Sequence, residues 1–202
     1  MTSSVAIGGV RDWNTLRQVA GDGYSDGISC LAAIEIVERS NRDSVIGPLN
    51  DSNAGRAALL LRDSAFFRLQ MMVVRAYATV RHPDDLHLRA AVNFLREHID
   101  EETRPDRHDR LTKVIKLFDS ADNDSRLVPL KNMRDKELAH WARPTGDLRP
   151  RCDELFGVTR DTCAIWEHLS FGAGTVMIEL DNQIDAYRES AAAFWGVWET
   201  DS

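Results

Sequence analysis

The chain has 202 residues and a mass of 22.8 kDa, which fits one domain. Its net charge of −7 and its 43% hydrophobic content exclude a disordered chain and a non-specific nucleic-acid coat. The first residues lack the basic and apolar regions of a secretory signal, and no apolar stretch is long enough to span a bilayer. We therefore expect a cytoplasmic protein with no membrane segment.

The N-terminal region is rich in glycine and has little hydrophobic periodicity. Residues 1–27 predict a poorly patterned arm, with at most a short helix from Asp12 to Ala20. The remainder, residues 28–202, predicts a single helical-bundle domain. Its first helix is expected over Ile28–Arg39, capped by Asp26, and turn chemistry is expected from residue 46 to residue 53.

The middle of the chain predicts four helices. The longest runs from Ala54 to Val80 and is apolar almost all round in its second half, so it belongs at the centre of a bundle or at an interface. Asp84 or Asp85 is expected to cap the next helix, which runs to residue 99. A short helix over 109–118 follows, and then one over 126–141 with Ser125 as its cap.

The C-terminal region predicts a helix with an apolar seam. Apolar residues recur at alternating spacings of four and three from Ala173 to Trp198, a pattern typical of lengthwise helix packing. The most direct partner is the helix of residues 54–80. No strand pattern is present, so the fold class is all-α, an antiparallel bundle of four or five long helices.

A guanidinium and an imidazole near the end of the fourth middle helix could carry chemistry. Arg134 offers a planar fork for phosphate oxygens, and His140 can transfer a proton near neutral pH. Together they suffice in kind for RNA cleavage without a metal. In the alternative structural interpretation, Arg134 pairs with a carboxylate and His140 stabilises the helix C-terminus. Glu137 and His140 also form one of the two Glu-x-x-His pairs of a helical di-metal site, for which His87 or His98 would have to lie close to them.

The segment Arg134-Asp-Lys-Glu-Leu-Ala-His140 resembles the R-x4-6-H signature of HEPN domains. It is most similar to the abortive-infection branch of the U type. The resemblance implies a HEPN-like bundle, a homodimer whose two motifs face one another, and a metal-independent endoribonuclease that needs no cofactor. Such proteins act in phage defence or as toxins, and a toxin implies a neutralising antitoxin partner. The alternative is a catalytically inactive HEPN-like module for dimerisation or ligand binding.

The resemblance also implies roles for single residues. Arg134 would bind the scissile phosphate, His140 would transfer the proton, and Asp135 would orient the arginine or the substrate. Asp63, on the long helix, is the candidate for a supporting acidic residue, unless it simply pairs with Arg62 or Arg68. Lys136 lies one turn before His140 and would contact the RNA backbone, unless it is only solvated.

Overall fold

The computed structural model describes residues 9–134 and 150–199, and within these ranges the chain is helical with no β-strand. Five helices have 17 residues or more, in agreement with the predicted bundle of long helices. The elements are α1 (Trp13–Ser40), α2 (Asp43–Asn50), α3 (Gly55–Ala76), α4 (Leu88–His98) with a 3₁₀ turn (Ile99–Glu101), α5 (Pro105–Asp122), α6 (Leu127–Met133), α7 (Cys152–Ala173) and α8 (Leu180–Gly196).

Helix α1 begins at Trp13, whereas the sequence predicted an arm up to residue 27. Asp12 caps it, accepting a hydrogen bond from the Thr15 amide at 2.7 Å. The glycines that indicated a loop are packing residues, because the Trp166 ring lies where a side chain at Gly23 would be. Gly27 likewise faces Leu180. Close helix packing therefore explains Gly23 and Gly27.

Helix α7 is the centre of the bundle, and the sequence analysis did not predict it. Both α1 and α5 pack along it, and thirteen of its residues are buried. It ends at Gly174, whose φ of +73° is the left-handed conformation of a helix C-cap. The predicted seam from Ala173 is therefore interrupted: Ala173 ends α7, Met177 is exposed in the connection, and α8 starts only at Leu180.

Helix α8 packs against α1 and not lengthwise against α3, as had been predicted. Leu180 and Ile184 are buried, and Arg188 donates to Glu35 of α1 at 3.1 Å. The end of α8 contributes Trp195 to a second, smaller apolar cluster. That cluster joins α8 to α2 and to the start of α3 through Val45, Leu49, Ala58 and Ala191.

Several helix boundaries differ from the predictions for local reasons. The segment from residue 43 to residue 50 is helical, although Pro48 and Gly47 indicated a turn. Asp85 does not cap α4, because its carboxylate accepts the amides of Arg81 and His82 in the preceding turn. Helix α5 extends beyond the prediction at both ends, and Arg126 rather than Ser125 precedes α6. No helix in the described ranges is long and apolar enough to cross a membrane.

Candidate functional site

The candidate site begins on α6, which places Arg134 against the body of the bundle. Leu127 and Leu130 are buried and anchor this short helix in the main core. Arg134 follows Leu130 by four residues and Leu127 by seven, so it shares their inward face. Its backbone remains helical, and its side chain is partly buried. The α6 helix thus presents the first residue of the motif on the face that packs against α3.

Ion pairs at both ends of the described part of α6 fix its position. Arg126, just before the helix, contacts Asp124 and Asp161, each at 2.6 Å, and thereby ties α6 to α7. Lys131 reaches Asp122 at the end of α5 at 3.5 Å. The hydrogen bond from Arg126 holds the pKa of Asp124 below its usual range, so this carboxylate is charged whenever the protein is at neutral pH.

Asp122 connects α6 to the rest of the bundle through Arg89. The Arg89 guanidinium contacts Asp122 at 2.5 Å and also donates to the carbonyls of Tyr77 and Ala78 at the end of α3. Burial raises the pKa of Asp122, but the hydrogen bonds and charges of Arg89 and Lys131 outweigh it and lower the pKa overall. The sequence analysis missed this network, although three aspartates from position 119 to 124 followed by basic residues at 126 and 131 are its visible signal.

A buried pair of hydroxyl groups connects the end of α3 to α7. The hydroxyl groups of Tyr77 and Thr162 are 3.2 Å apart, and the Tyr77 ring stacks on Phe118. Burial raises the pKa of Tyr77 to about 12, so the phenol stays protonated. It acts as a structural hydrogen-bonding group and not as a base.

The other residues of the predicted site divide into two groups. Asp135, Lys136 and His140 lie outside the described residues, and so does Glu137 of the Glu-x-x-His pair. Asp63 is exposed on α3. The expected structural partners of Asp63 are engaged elsewhere.

Arg62 and Arg68 each have a partner other than Asp63. Arg62 donates to Asn41 at 3.3 Å, and Arg68 contacts Asp26 at 3.6 Å. Within residues 9–134 and 150–199, Asp63 forms no ion pair. The interpretation of Asp63 as the partner of one of these two arginines is therefore wrong.

The histidines proposed for a metal site have other surroundings. His98 contacts Glu101 at 2.8 Å and stacks on Phe94, whereas His87 is buried at the start of α4. Among the described residues, no group of three or more His, Cys, Asp or Glu side chains is arranged to hold a metal ion.

The described helices form an all-α bundle consistent with a HEPN domain, and the comparison with family models identifies the family. The family model HEPN_AbiU2, described as AbiU2, matches residues 14–194. The chain belongs to this family and is an abortive-infection-related HEPN domain. The match also includes most of α1, whose first half lies in the segment predicted to be an arm. No curated protein and no solved structure matches the chain.

Proposed function

We propose that this protein is a metal-independent endoribonuclease of abortive infection, with Arg134 and His140 as its catalytic residues. The observation that carries the proposal is the place of Arg134. It continues the anchored face of α6, within a chain whose match to HEPN_AbiU2 includes the whole segment from Arg134 to His140. An arginine held in this way is oriented before substrate binds, which reduces the entropic cost of positioning a phosphate.

The proposed reaction uses the ribose itself as nucleophile. The 2′-oxygen attacks the adjacent phosphorus, the bond to the 5′-oxygen of the next nucleotide breaks, and a 2′,3′-cyclic phosphate forms. His140 transfers the proton, and Arg134 stabilises the charge that develops on the phosphorane oxygens. Asp135 orients Arg134 or the substrate, and Lys136 contacts the RNA backbone. DNA, which lacks the 2′-hydroxyl group, would not be cleaved.

The proposed active form is a homodimer, and α3 offers a surface for it. Leu60, Phe67 and Met71 recur at spacings of seven and four, so they form one row along α3. Their exposed fractions are 68%, 51% and 37%, which is unusual for large apolar side chains on one helix face. Asp63 lies in the same row, so a dimer formed through α3 would bring the two Asp63 carboxylates to the interface.

The direct test is cleavage of total RNA by the purified protein and by His140→Ala and Arg134→Ala. We expect each variant to lose at least about 100-fold in rate, the usual contribution of general acid–base catalysis or of charge stabilisation. Matched controls are His82→Ala and Arg104→Ala, which remove the same groups from exposed positions. Helical content, measured by circular dichroism, should be unchanged in all four variants.

Two results would contradict the proposal. One is equal cleavage by the wild type and by His140→Ala, and the other is loss of cleavage on addition of EDTA with recovery on addition of a divalent cation. If the wild type forms dimers but cleaves no RNA, the alternative of an inactive dimerisation module is favoured. The exposed apolar row on α3 supports that alternative equally well.

A further inference from the structure

Three positions on α5 place cations along its seam with α7. The Arg107 guanidinium lies over Gly174, and the Arg110 guanidinium lies over the Phe171 ring at 4.9 Å from its centre. Lys113 is close enough to His168 to lower the pKa of its imidazole. Each step of three residues forward along α5 is matched by a step of three residues backward along α7. The two helices are therefore antiparallel. We call Arg107, Arg110, Lys113 and His168 the basic seam.

The cations on α5 have no carboxylate in direct contact within the described part of the chain. In these ranges Arg107, Arg110 and Lys113 form no ion pair, whereas Arg89 and Arg126 do. This is notable in a chain with an excess of seven negative charges. Arg110 and Lys113 are exposed, so the positive charge is open to a partner in solution.

The acidic side chains that neighbour the seam in the sequence each have a contact outside the three cations. Asp106 contacts Arg104 at 2.9 Å, and Glu167 accepts the Leu180 amide at 2.6 Å. Asp109 is exposed one turn before Lys113 on the same helix face, and its carboxylate lies 4.0 Å from the His108 imidazole. These carboxylates therefore reduce the positive field of the seam without cancelling it.

The His168 imidazole lies within the seam and is exposed to the positive electrostatic field of Lys113 and Arg110. Its Nδ1 atom is buried and has no hydrogen-bond partner in the described part of the chain. Burial lowers the pKa of this imidazole and Lys113 and Arg110 lower it further, although Glu167 acts in the opposite direction. A ligand that supplies negative charge here would favour the protonated ring, which gains hydrogen-bonding capacity at both nitrogens.

We propose that the basic seam binds the phosphate backbone of a single RNA strand. The proposal rests on the proposed function, because it identifies a second contact surface for the same substrate. Successive cations on α5 are three residues apart, or about 4.5 Å along the helix, so the seam spans about 9 Å. That length fits two or three consecutive phosphates at about 3.4 Å or more per nucleotide.

The distance from the basic seam to α6 sets the length of RNA that could touch both. Asp122, which holds α6 through Lys131, lies nine residues after Lys113 and fifteen after Arg107. Along α5 these separations are about 14 Å and 22 Å. A strand of about four to seven nucleotides covers them at 3.4 Å per nucleotide. This is a minimum length, because Lys113 and Asp122 are nine residues apart and therefore point about 180° apart around α5.

The test measures RNA binding separately from cleavage. A fluorescent single-stranded RNA of about 20 nucleotides is titrated with His140→Ala protein at several salt concentrations, with and without Arg110→Gln and Lys113→Gln together. The control pair, Arg42→Gln with Arg160→Gln, removes the same charge from arginines that contact Glu199 and Glu38. Circular dichroism checks that all proteins are folded.

We expect the seam pair to weaken binding at least about tenfold at low salt and to reduce the slope of log K against log salt by about 1.4, which is 0.7 for each lost phosphate contact. The control pair should change the affinity less than about twofold. Equal effects of the two pairs would overturn the proposal. Unchanged RNA binding together with lost binding to vesicles containing phosphatidylserine would also overturn it, in favour of a lipid surface.

Failure of this proposal is distinguishable from failure of the proposed function. If the seam pair weakens RNA binding while the wild type cleaves nothing, the RNA-binding proposal is supported and the endoribonuclease proposal is contradicted. If the wild type cleaves RNA and the seam pair binds RNA with unchanged affinity, the endoribonuclease proposal is supported and the RNA-binding proposal is overturned.

Discussion

His87 is a buried titratable side chain at the start of α4. It is only 6% exposed, and within the described residues neither ring nitrogen has a partner. It borders a small cavity of about 30 Å³, together with Asp22, Asp26, Arg75 and Trp166. A cavity of this size holds about one water molecule. The sequence analysis considered this histidine only as a metal ligand, because burial is not visible in a short polar segment.

The burial of His87 predicts a loss of stability in mild acid. Burial lowers the pKa of folded His87 below the ordinary value of 6.5, helped by Arg75 and Arg89 and opposed by Asp85. As the pH falls below about 6.5, His87 becomes protonated in the unfolded chain but stays neutral in the folded chain. The free energy of unfolding therefore falls. We expect urea titrations from pH 7.5 to pH 5 to show this decline and His87→Leu to reduce it.

An exposed histidine near His87 provides the control for this prediction. His82→Gln removes an exposed ring five residues earlier and should leave the decline intact. His168, whose pKa is lowered in the same direction, accounts for the part that remains in His87→Leu. An NMR titration of the wild type, in which the His87 ring takes up its proton above pH 6.5, would contradict the prediction without relying on any variant.

At the scale of the elements, the contact between α1 and α7 decides the fold. A β-carbon at Gly23 would lie 2.1 Å from the Trp166 ring, a distance that real side chains do not reach. Gly23→Ala must therefore displace a large buried ring, and we expect it to lower the free energy of unfolding by about 1–3 kcal/mol. Gly196→Ala, where a methyl group meets open space, should leave stability unchanged or slightly higher. Equal denaturation midpoints for the two variants would disprove this account of the α1 glycines.

At the scale of the whole molecule, the proposed dimer depends on the exposed row of α3. Replacing Leu60 and Phe67 together by glutamate places two charges on that row and should convert a dimer to a monomer in sedimentation velocity. Met177→Glu is the matched control, because this side chain is 74% exposed in the connection between α7 and α8, away from the row. A dimer that survives the double substitution would place the interface on another surface.

Local signals predicted the fold class and the extent of α3 well. Helix α3 was expected over 54–80 and occupies Gly55–Ala76, since a long run without glycine or proline is itself a strong helix signal. The same local reasoning failed for α1 and α7. In both, the sequence mixes small, polar and apolar residues because several helices pack around them, so no single apolar stripe is visible.

The sequence by itself determined the all-helical class, because hydrophobic periodicity is a property of neighbouring residues, and the resemblance of its seven-residue motif indicated the family. Only the tertiary structure decided that α7 is the central helix, that Arg134 continues a buried face and that Asp63 is exposed beside an apolar row. It also decided that Arg107, Arg110 and Lys113 line a seam with α7. Which residues of distant helices meet depends on how the helices pack, and packing is fixed by the whole core and not by any one segment.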